Sequence, residues 1–471
     1  MTGTTLWWIR KEFRLSDNPA LMAALEGAEH VMPVFILDPQ TLDALGAAPK
    51  WRLSKAIESF SLTLEALGSR LILRQGEALE QLRALAQETK ASRIVWGRHY
   101  DPAAKERDTA IKAALKIDGI EATSVRAHLA FEPWELETKT GGPYRVYSPF
   151  KRAFFEKAEG LDTLPAPNDL KPPQTWPKSD ALDDWALEGE MNRGGAIVAH
   201  YAVIGEQMAQ TRLAEFLTRI ERYDTERDLP DRIGTSRLSE NLAWGEISPR
   251  RIWQAVRAVA PSDGARVFLQ EIIWREFAYH LLHHYPQIGT ENWKPDWDAF
   301  PWREDNDDAE RWRRGQTGFP LVDAAMRELY TTGYMHNRMR MLTASILTKH
   351  LMTDWRVGEA WFRECLIDWD PASNAMGWQW VAGCGPDAAP FFRIFNPETQ
   401  RKKFDPQDAY IERWLAERTD APNPNALSFY EAIPRSWAMK PDAPYPDQIV
   451  ALDVGRKAAL AAYQAMRDTA A

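Results

Sequence analysis

Cysteine is almost absent from this chain of 471 residues, with only Cys365 and Cys384 present. Two thiols so placed build neither a disulfide framework nor a metal cluster, which suits a reducing cytoplasm. Long apolar runs are missing as well, and nothing approaches the roughly 18 residues that a membrane span needs. The run Leu6–Ile9 stops at Arg10 and Lys11, so it reads as a first strand rather than a signal-peptide core. There is no basic excess either. The net charge of −9 argues, taken alone, against nucleic acid as a partner. A DNA footprint needs only a local basic patch, however. Arginines do cluster: Arg227, Arg232 and Arg237; Arg250 and Arg251; Arg338 and Arg340. The sequence contains no phosphate loop, no HExxH and no GxSxG. One GxGxxA spacing, at Gly383, Gly385 and Ala388, follows helical sequence instead of a strand and reads as a turn. Asp368-Trp-Asp370 lacks a third acidic ligand, so no metal site is expected.

What is present divides the chain. Over residues 1–130, the β-rich runs Leu6–Ile9, Val31–Leu37, Arg70–Leu73 and Arg93–Trp96 alternate with helical patterns. These helices are Asn18–Leu25, Trp51–Leu67, Ala78–Lys90 and Pro102–Lys116. That alternation predicts a doubly wound parallel sheet, buried on both faces. Residues 131–200 read as an interdomain linker, with five prolines between Glu159 and Gly189 and no periodicity there. From 201 to 471 helices dominate: Ile204–Ile220, Pro249–Val259, Gly264–His284, Leu321–Thr331, Met335–Leu351 and Arg356–Leu366. The expected fold class is therefore α/β followed by all-α.

Three segments carry chemistry. Glu271, Trp274 and Arg275 stand at i, i+3 and i+4 and share a helix face. A carboxyl, a large ring and a guanidinium together suit a base's polar edge and its π-face. An amphipathic helix with an ordinary Glu–Arg pair explains the spacing equally well. Asn337 and Met341 lie one turn apart, flanked by Arg338 and Arg340. Asn suits the edge of a heterocycle and Arg suits a phosphate or carboxylate; a Met-rich core stripe is the plainer alternative. Tryptophan is abundant, at 21 residues, and Trp302, Trp355, Trp378 and Trp380 sit on separate segments. Core filler and a chain of oxidisable rings both fit that pattern.

Together these segments resemble the photolyase and cryptochrome flavoprotein family, nearest its bacterial cyclobutane pyrimidine dimer photolyases. The resemblance opens with Trp8-Ile-Arg10-Lys-Glu-Phe-Arg14-Leu-Ser-Asp17-Asn18-Pro-Ala-Leu21. It continues through Gly234-Thr235-Ser236-Arg237-Leu238-Ser239 and Gly245-Glu-Ile-Ser248-Pro249-Arg250. It runs on through Gly315-Gln-Thr-Gly318-Phe-Pro320-Leu-Val-Asp323 and closes with Pro390-Phe-Phe-Arg393-Ile-Phe-Asn396-Pro397. The match spans nearly the whole chain.

The resemblance implies an α/β antenna domain, a long connector and a helical domain holding folded FAD. It places Tyr223, Thr235, Ser236, Arg237, Leu238 and Ser239 at the phosphates and ribityl chain. Arg340 and Asp368 become an ion pair beside the isoalloxazine, Asp370 a bond to the ring edge, and Asn374 the neighbour of flavin N5. The implied activity is light-dependent repair of thymine dimers in DNA by electron transfer from photoexcited reduced FAD, a deoxyribodipyrimidine photo-lyase reaction. The dimer is flipped out of the duplex, as photolyases generally require. Trp274 and Trp380 would stack on it, with Glu271, Asn337 and Met341 completing the contact. Arg227, Arg275 and Arg338 would meet DNA. Trp378, Trp355 and Trp302 match the family's electron relay, in that order towards the surface.

Relatives that repair (6-4) photoproducts carry histidines where this chain has Asn337 and Met341, so the cyclobutane lesion is implied. The alternative is a blue-light-sensing cryptochrome. Members of that kind usually have a long tail, whereas this chain stops soon after a helix at Arg456–Arg467. A second, antenna chromophore of folate or flavin type is expected. Ala103 and Ala104 stand where the well-known folate site has Asn and Glu. Gly141–Phe150 resembles a branch with a differently placed folate. A cytoplasmic monomer is expected.

Overall fold

A computed structural model describes residues 3–191, 193–387 and 392–470. Ala388, Pro390 and Phe391, which fall within segments quoted above, lie outside them. Five parallel strands form one sheet in the order β3-β2-β1-β4-β5. They are β1 Thr4–Ile9, β2 His30–Leu37, β3 Ile72–Gln75, β4 Arg93–Gly97 and β5 Glu121–Val125. Alternation along β1 explains its unbroken apolar run. Leu6 and Trp8 pack with Leu82, Leu85, Ile111 and Leu115 on one face. Trp7 and Ile9 point the other way, into a cluster with Leu53, Ile57 and Phe60 that continues into the helical half.

Two strand expectations need correction. β3 begins at Ile72, not Arg70, because its ladder with β2 pairs Val34 with Ile72 and Leu37 with Gln75. β5 was not expected at all. Its sequence, Glu-Ala-Thr-Ser-Val, has no apolar run, since it is a half-exposed edge strand.

The segment Arg10–Asn18 clamps the sheet to the helices. Buried Arg14 donates to the carbonyls of Asp17 (2.8 Å), Ala127 (2.7 Å) and Gly245 (2.9 Å). Gly245 must be glycine. Its φ is +61°, and a Cβ there would lie 1.9 Å from the Lys11 carbonyl oxygen. Asn18 caps the Pro19–Leu25 helix by accepting from Leu21 N at 3.0 Å.

Between 161 and 181 the chain is irregular, as its prolines suggested. Earlier in the expected linker, however, Tyr147–Lys157 is a helix. Tyr147, Phe150 and Phe154 sit at i, i+3 and i+7 and bury against Phe277 and its neighbours. In the helical half, the expected Met335–Leu351 helix starts at Asn337, where His336 caps it through Arg338 N. It ends at Ser345 and passes into a π-helical turn, Ile346–His350.

The 22-residue Asp263–His284 helix joins the two halves. Its Arg275 donates to the His128 carbonyl at 2.9 Å, and its Glu276 accepts from Ala130 N at 2.9 Å. Burial pushes the Glu276 carboxyl up to about 7, against the pull of Arg275 and two backbone amides. Between the ordinary carboxylate value and about 7, the native state keeps a proton that the unfolded chain has released. Stability therefore falls as pH rises through that window, by about 3 kcal/mol at its upper end. Urea unfolding at stepped pH should show this slope in the parent and a flatter profile in Glu276→Gln.

Candidate active site

Three helices and one loop wall a cavity of about 580 Å³. The Asp263–His284 helix contributes Phe268, Glu271, Ile272 and Arg275 at i, i+3, i+4 and i+7, with Trp274 beside them. The Asn337–Ser345 helix contributes Asn337, Arg338, Arg340 and Met341. The Pro371–Ala382 helix contributes Ser373, Met376, Gly377, Trp380 and Val381. Tyr223, Arg227, Ser236, Leu238 and Ser239 close the fourth side. An inner lobe of about 160 Å³ shares Asn337, Arg340, Met341, Asp368 and Asp370 with it and adds Asn374, Trp369 and Trp378. The larger volume is that of sites that engulf a small ligand, roughly 300–1,000 Å³.

The polar groups here are already arranged in pairs. Arg340 Nη2 donates to Asp368 Oδ2 at 2.7 Å and its Nε to the Met335 carbonyl at 2.8 Å. Burial works against the Arg340 charge, and Asp368 more than restores it. Asp370 caps the Pro371–Ala382 helix through Ser373 N (2.8 Å) and accepts from the Tyr279 hydroxyl. Arg227 meets Glu271 at 2.5 Å, and Arg338 meets Asp228 at 2.6 Å. Asp368 Oδ1 is buried and has no partner. Asp368 lines both pockets, and a buried acceptor left unmet costs about 1–3 kcal/mol, which a ligand donor reaching it would recover.

Some expected residues stand elsewhere. Thr235 and Arg237 do not line the cavity. Arg237 takes a left-handed backbone (φ +52°) and lays its guanidinium 4.3 Å from the Tyr334 ring centre. Arg275 does line it, yet its guanidinium is engaged by the His128 carbonyl and only 11% of its side chain is exposed. Trp274 stacks one face on Tyr147, with ring centres 3.4 Å apart, so only the opposite face and the edge remain for the cavity. His336 is a buried cap that burial pushes down to about 4, so it is neutral near pH 7 and stands outside the lining.

Trp378, Trp355 and Trp302 run outward from the inner lobe. The Trp378 ring packs where a Cβ on Gly358 would be, one turn from Trp355 on the same helix. Trp302 is followed by Arg303, whose backbone bonds Met352 and Asp354, the latter preceding Trp355. Trp378 and Trp355 are buried, and Trp302 is only half-buried. Asp228, Ser373 and Tyr147 were missed from sequence, whereas Met376 and Gly377, in the Ala375-Met376-Gly377 run that departs from the Asn-Gly-Gly of well-known relatives, do line the cavity. Helical spacing from Asp370 pointed to Ser373; nothing in sequence pointed to Tyr147.

Residues 5–170 match the family model for DNA photolyase, and residues 268–465 match the FAD binding domain of DNA photolyase. The chain belongs to the DNA photolyase family. A deoxyribodipyrimidine photo-lyase of Agrobacterium fabrum is 44% identical, covering 99% of both chains. Among solved structures, a bacterial class III photolyase from Agrobacterium tumefaciens superposes with a TM-score of 0.90 at 42% identity, covering 99% of this chain and 98% of that one. An archaeal photolyase from Sulfolobus tokodaii, solved with two FAD molecules, gives 0.79 at 26% identity, covering 98% and 99%. The family's FAD-binding domain thus contains most of the cavity wall. The open Asp368 oxygen, beside the Arg340 charge, fits the polar edge of a flavin. Asp368→Asn should leave the partly exposed Arg340 with only Glu328 as a counter-charge, at about 1–3 kcal/mol. FAD retention measured by fluorescence on dilution should fall about 100-fold.

Proposed function

We propose that this chain repairs cyclobutane pyrimidine dimers in DNA, using light absorbed by a reduced FAD held in the cavity. The observation that carries this reading is a pair of adjoining pockets that share Asn337, Arg340, Met341, Asp368 and Asp370 in their walls. Glu271, Trp274, Asn337, Met341 and Trp380 line the larger chamber, and Asp368, Asp370 and Asn374 line the inner lobe. When bound and reduced, FAD supplies the excited electron that opens the cyclobutane ring and takes it back afterwards. The residues do the rest. Trp274 and Trp380 offer apolar ring faces to a flipped dimer, and stacking of this kind contributes about 1–3 kcal/mol per base. Glu271 would accept from a pyrimidine ring N–H, releasing Arg227 to a backbone phosphate. Arg338 serves the same strand. Asn337 and Met341 offer no proton donor able to drive (6-4) chemistry.

The partner is damaged DNA, met by a cytoplasmic monomer, and the chemistry calls for no metal. Thr235 and Arg237 would act on FAD through their backbone at the phosphate end. We also take the 1–130 unit to carry an antenna chromophore, of folate or flavin type. A cleft of about 470 Å³ lined by Tyr100, Lys105, Leu282 and His283 offers room for one. The Sulfolobus tokodaii relative, with its two FAD molecules, favours the flavin type. The absorbance spectrum of the purified protein separates the two.

Repair of an oligonucleotide with one thymine dimer under blue light, against a dark control, tests the assignment. Light-dependent repair by the reduced protein is expected, and its absence refutes the reading. Glu271→Ala should lower repair about 10- to 100-fold, the worth of a hydrogen bond to a charged group. Trp302→Phe should slow photoreduction of the oxidised cofactor at unchanged FAD content. An unchanged rate removes Trp302 from the relay.

A further inference from the structure

Asn374 lies in the first turn of the Pro371–Ala382 helix and lines the inner lobe. Its amide is committed on one side. Nδ2 donates to Glu359 Oε1 at 2.9 Å and to the Glu359 backbone carbonyl at 3.3 Å. Glu359 sits on the neighbouring Trp355–Cys365 helix and is not part of the cavity wall. The two helices approach closely here, since any Cβ on adjacent Gly358 would lie 2.1 Å from the Trp378 ring. Glu359 is thereby held at fixed range.

An asparagine amide has one donor end and one acceptor end. Turning the Asn374 amide over would set Oδ1 against two oxygens with no hydrogen between them. Glu359 therefore decides which end is left for the cavity. We propose that Glu359 is a positioning residue that reserves the Asn374 carbonyl oxygen for a donor on the ligand, the N5–H of a reduced flavin, and so favours the reduced cofactor. An ionised Glu359 enforces this most strongly, since a carboxylate only accepts, and its backbone carbonyl adds a second acceptor. Burial pushes the Glu359 carboxyl upward, while Arg363, one turn further on, and the Asn374 amide pull it back. The inference rests on FAD occupying the cavity as argued above.

Glu359→Gln keeps the shape and weakens the bias, because an amide can donate to Oδ1 as well as accept from Nδ2, while the backbone carbonyl at this position still accepts. Spectroelectrochemical titration of the bound FAD should show the reduced-to-oxidised equilibrium shifted about fivefold against the reduced form, the worth of one net hydrogen bond. The same substitution in an Asn374→Ala background should shift nothing, which a merely structural role would not predict. Glu359→Ala should shift the equilibrium in the same direction and serves should the glutamine variant fold poorly. No shift, or an equal shift in both backgrounds, overturns the proposal. The flavin absorbance of the unaltered protein separates the two failures: if it takes up no FAD, the functional reading fails and this inference falls with it.

Discussion

The Arg340–Asp368 ion pair is the interaction on which the site depends, because it ties together three segments that sequence keeps apart. Arg340 holds the start of its own helix through the Met335 carbonyl, and Asp368 lies in the turn between the Trp355–Cys365 and Pro371–Ala382 helices. A buried ion pair is a poor source of stability, since desolvation consumes most of its Coulombic gain. Its value here is geometric. One Asp368 oxygen is spent on Arg340 and the other is buried without a partner in a side chain that lines the cavity.

The Asp263–His284 helix extends the same logic over a longer distance. Its first half lines the cavity through Phe268, Glu271 and Arg275. Its second half meets the end of the α/β unit, with Glu276 on Ala130 N, and the connector after it, with His280 on Tyr144 N, while Tyr279 reaches back to Asp370. A single rigid rod thus fixes the ligand wall relative to the sheet. Arg14, buried with its donors on both halves, locks the other end of the contact.

The parallel sheet was legible because β1, β2 and β4 are buried on both faces and their apolar runs are continuous. β5 was not, because an exposed edge strand has no reason to be apolar. The Tyr147–Lys157 helix was absorbed into the linker ahead of its proline-rich stretch, although Tyr147, Phe150 and Phe154 carried its period. Glu271, Trp274 and Arg275 could be placed on one helix face from spacing, and the structure puts all three on the cavity wall. That Arg275 is held by His128, and that Tyr147 covers one face of Trp274, depends on contacts 147 and 127 residues apart in the chain.

By itself the sequence determined the order of elements, the helix faces and the family, because periodicity and local motifs act over a few residues. It could not determine which polar group meets which. Glu359 reads as any surface glutamate of an amphipathic helix until packing sets it against Asn374, and Asp368 reads as a failed metal ligand until Arg340 takes one of its oxygens. Those pairings are decided by tertiary structure, because hydrogen bonding is directional and short in reach, and only the packed helices bring the donors and acceptors within it.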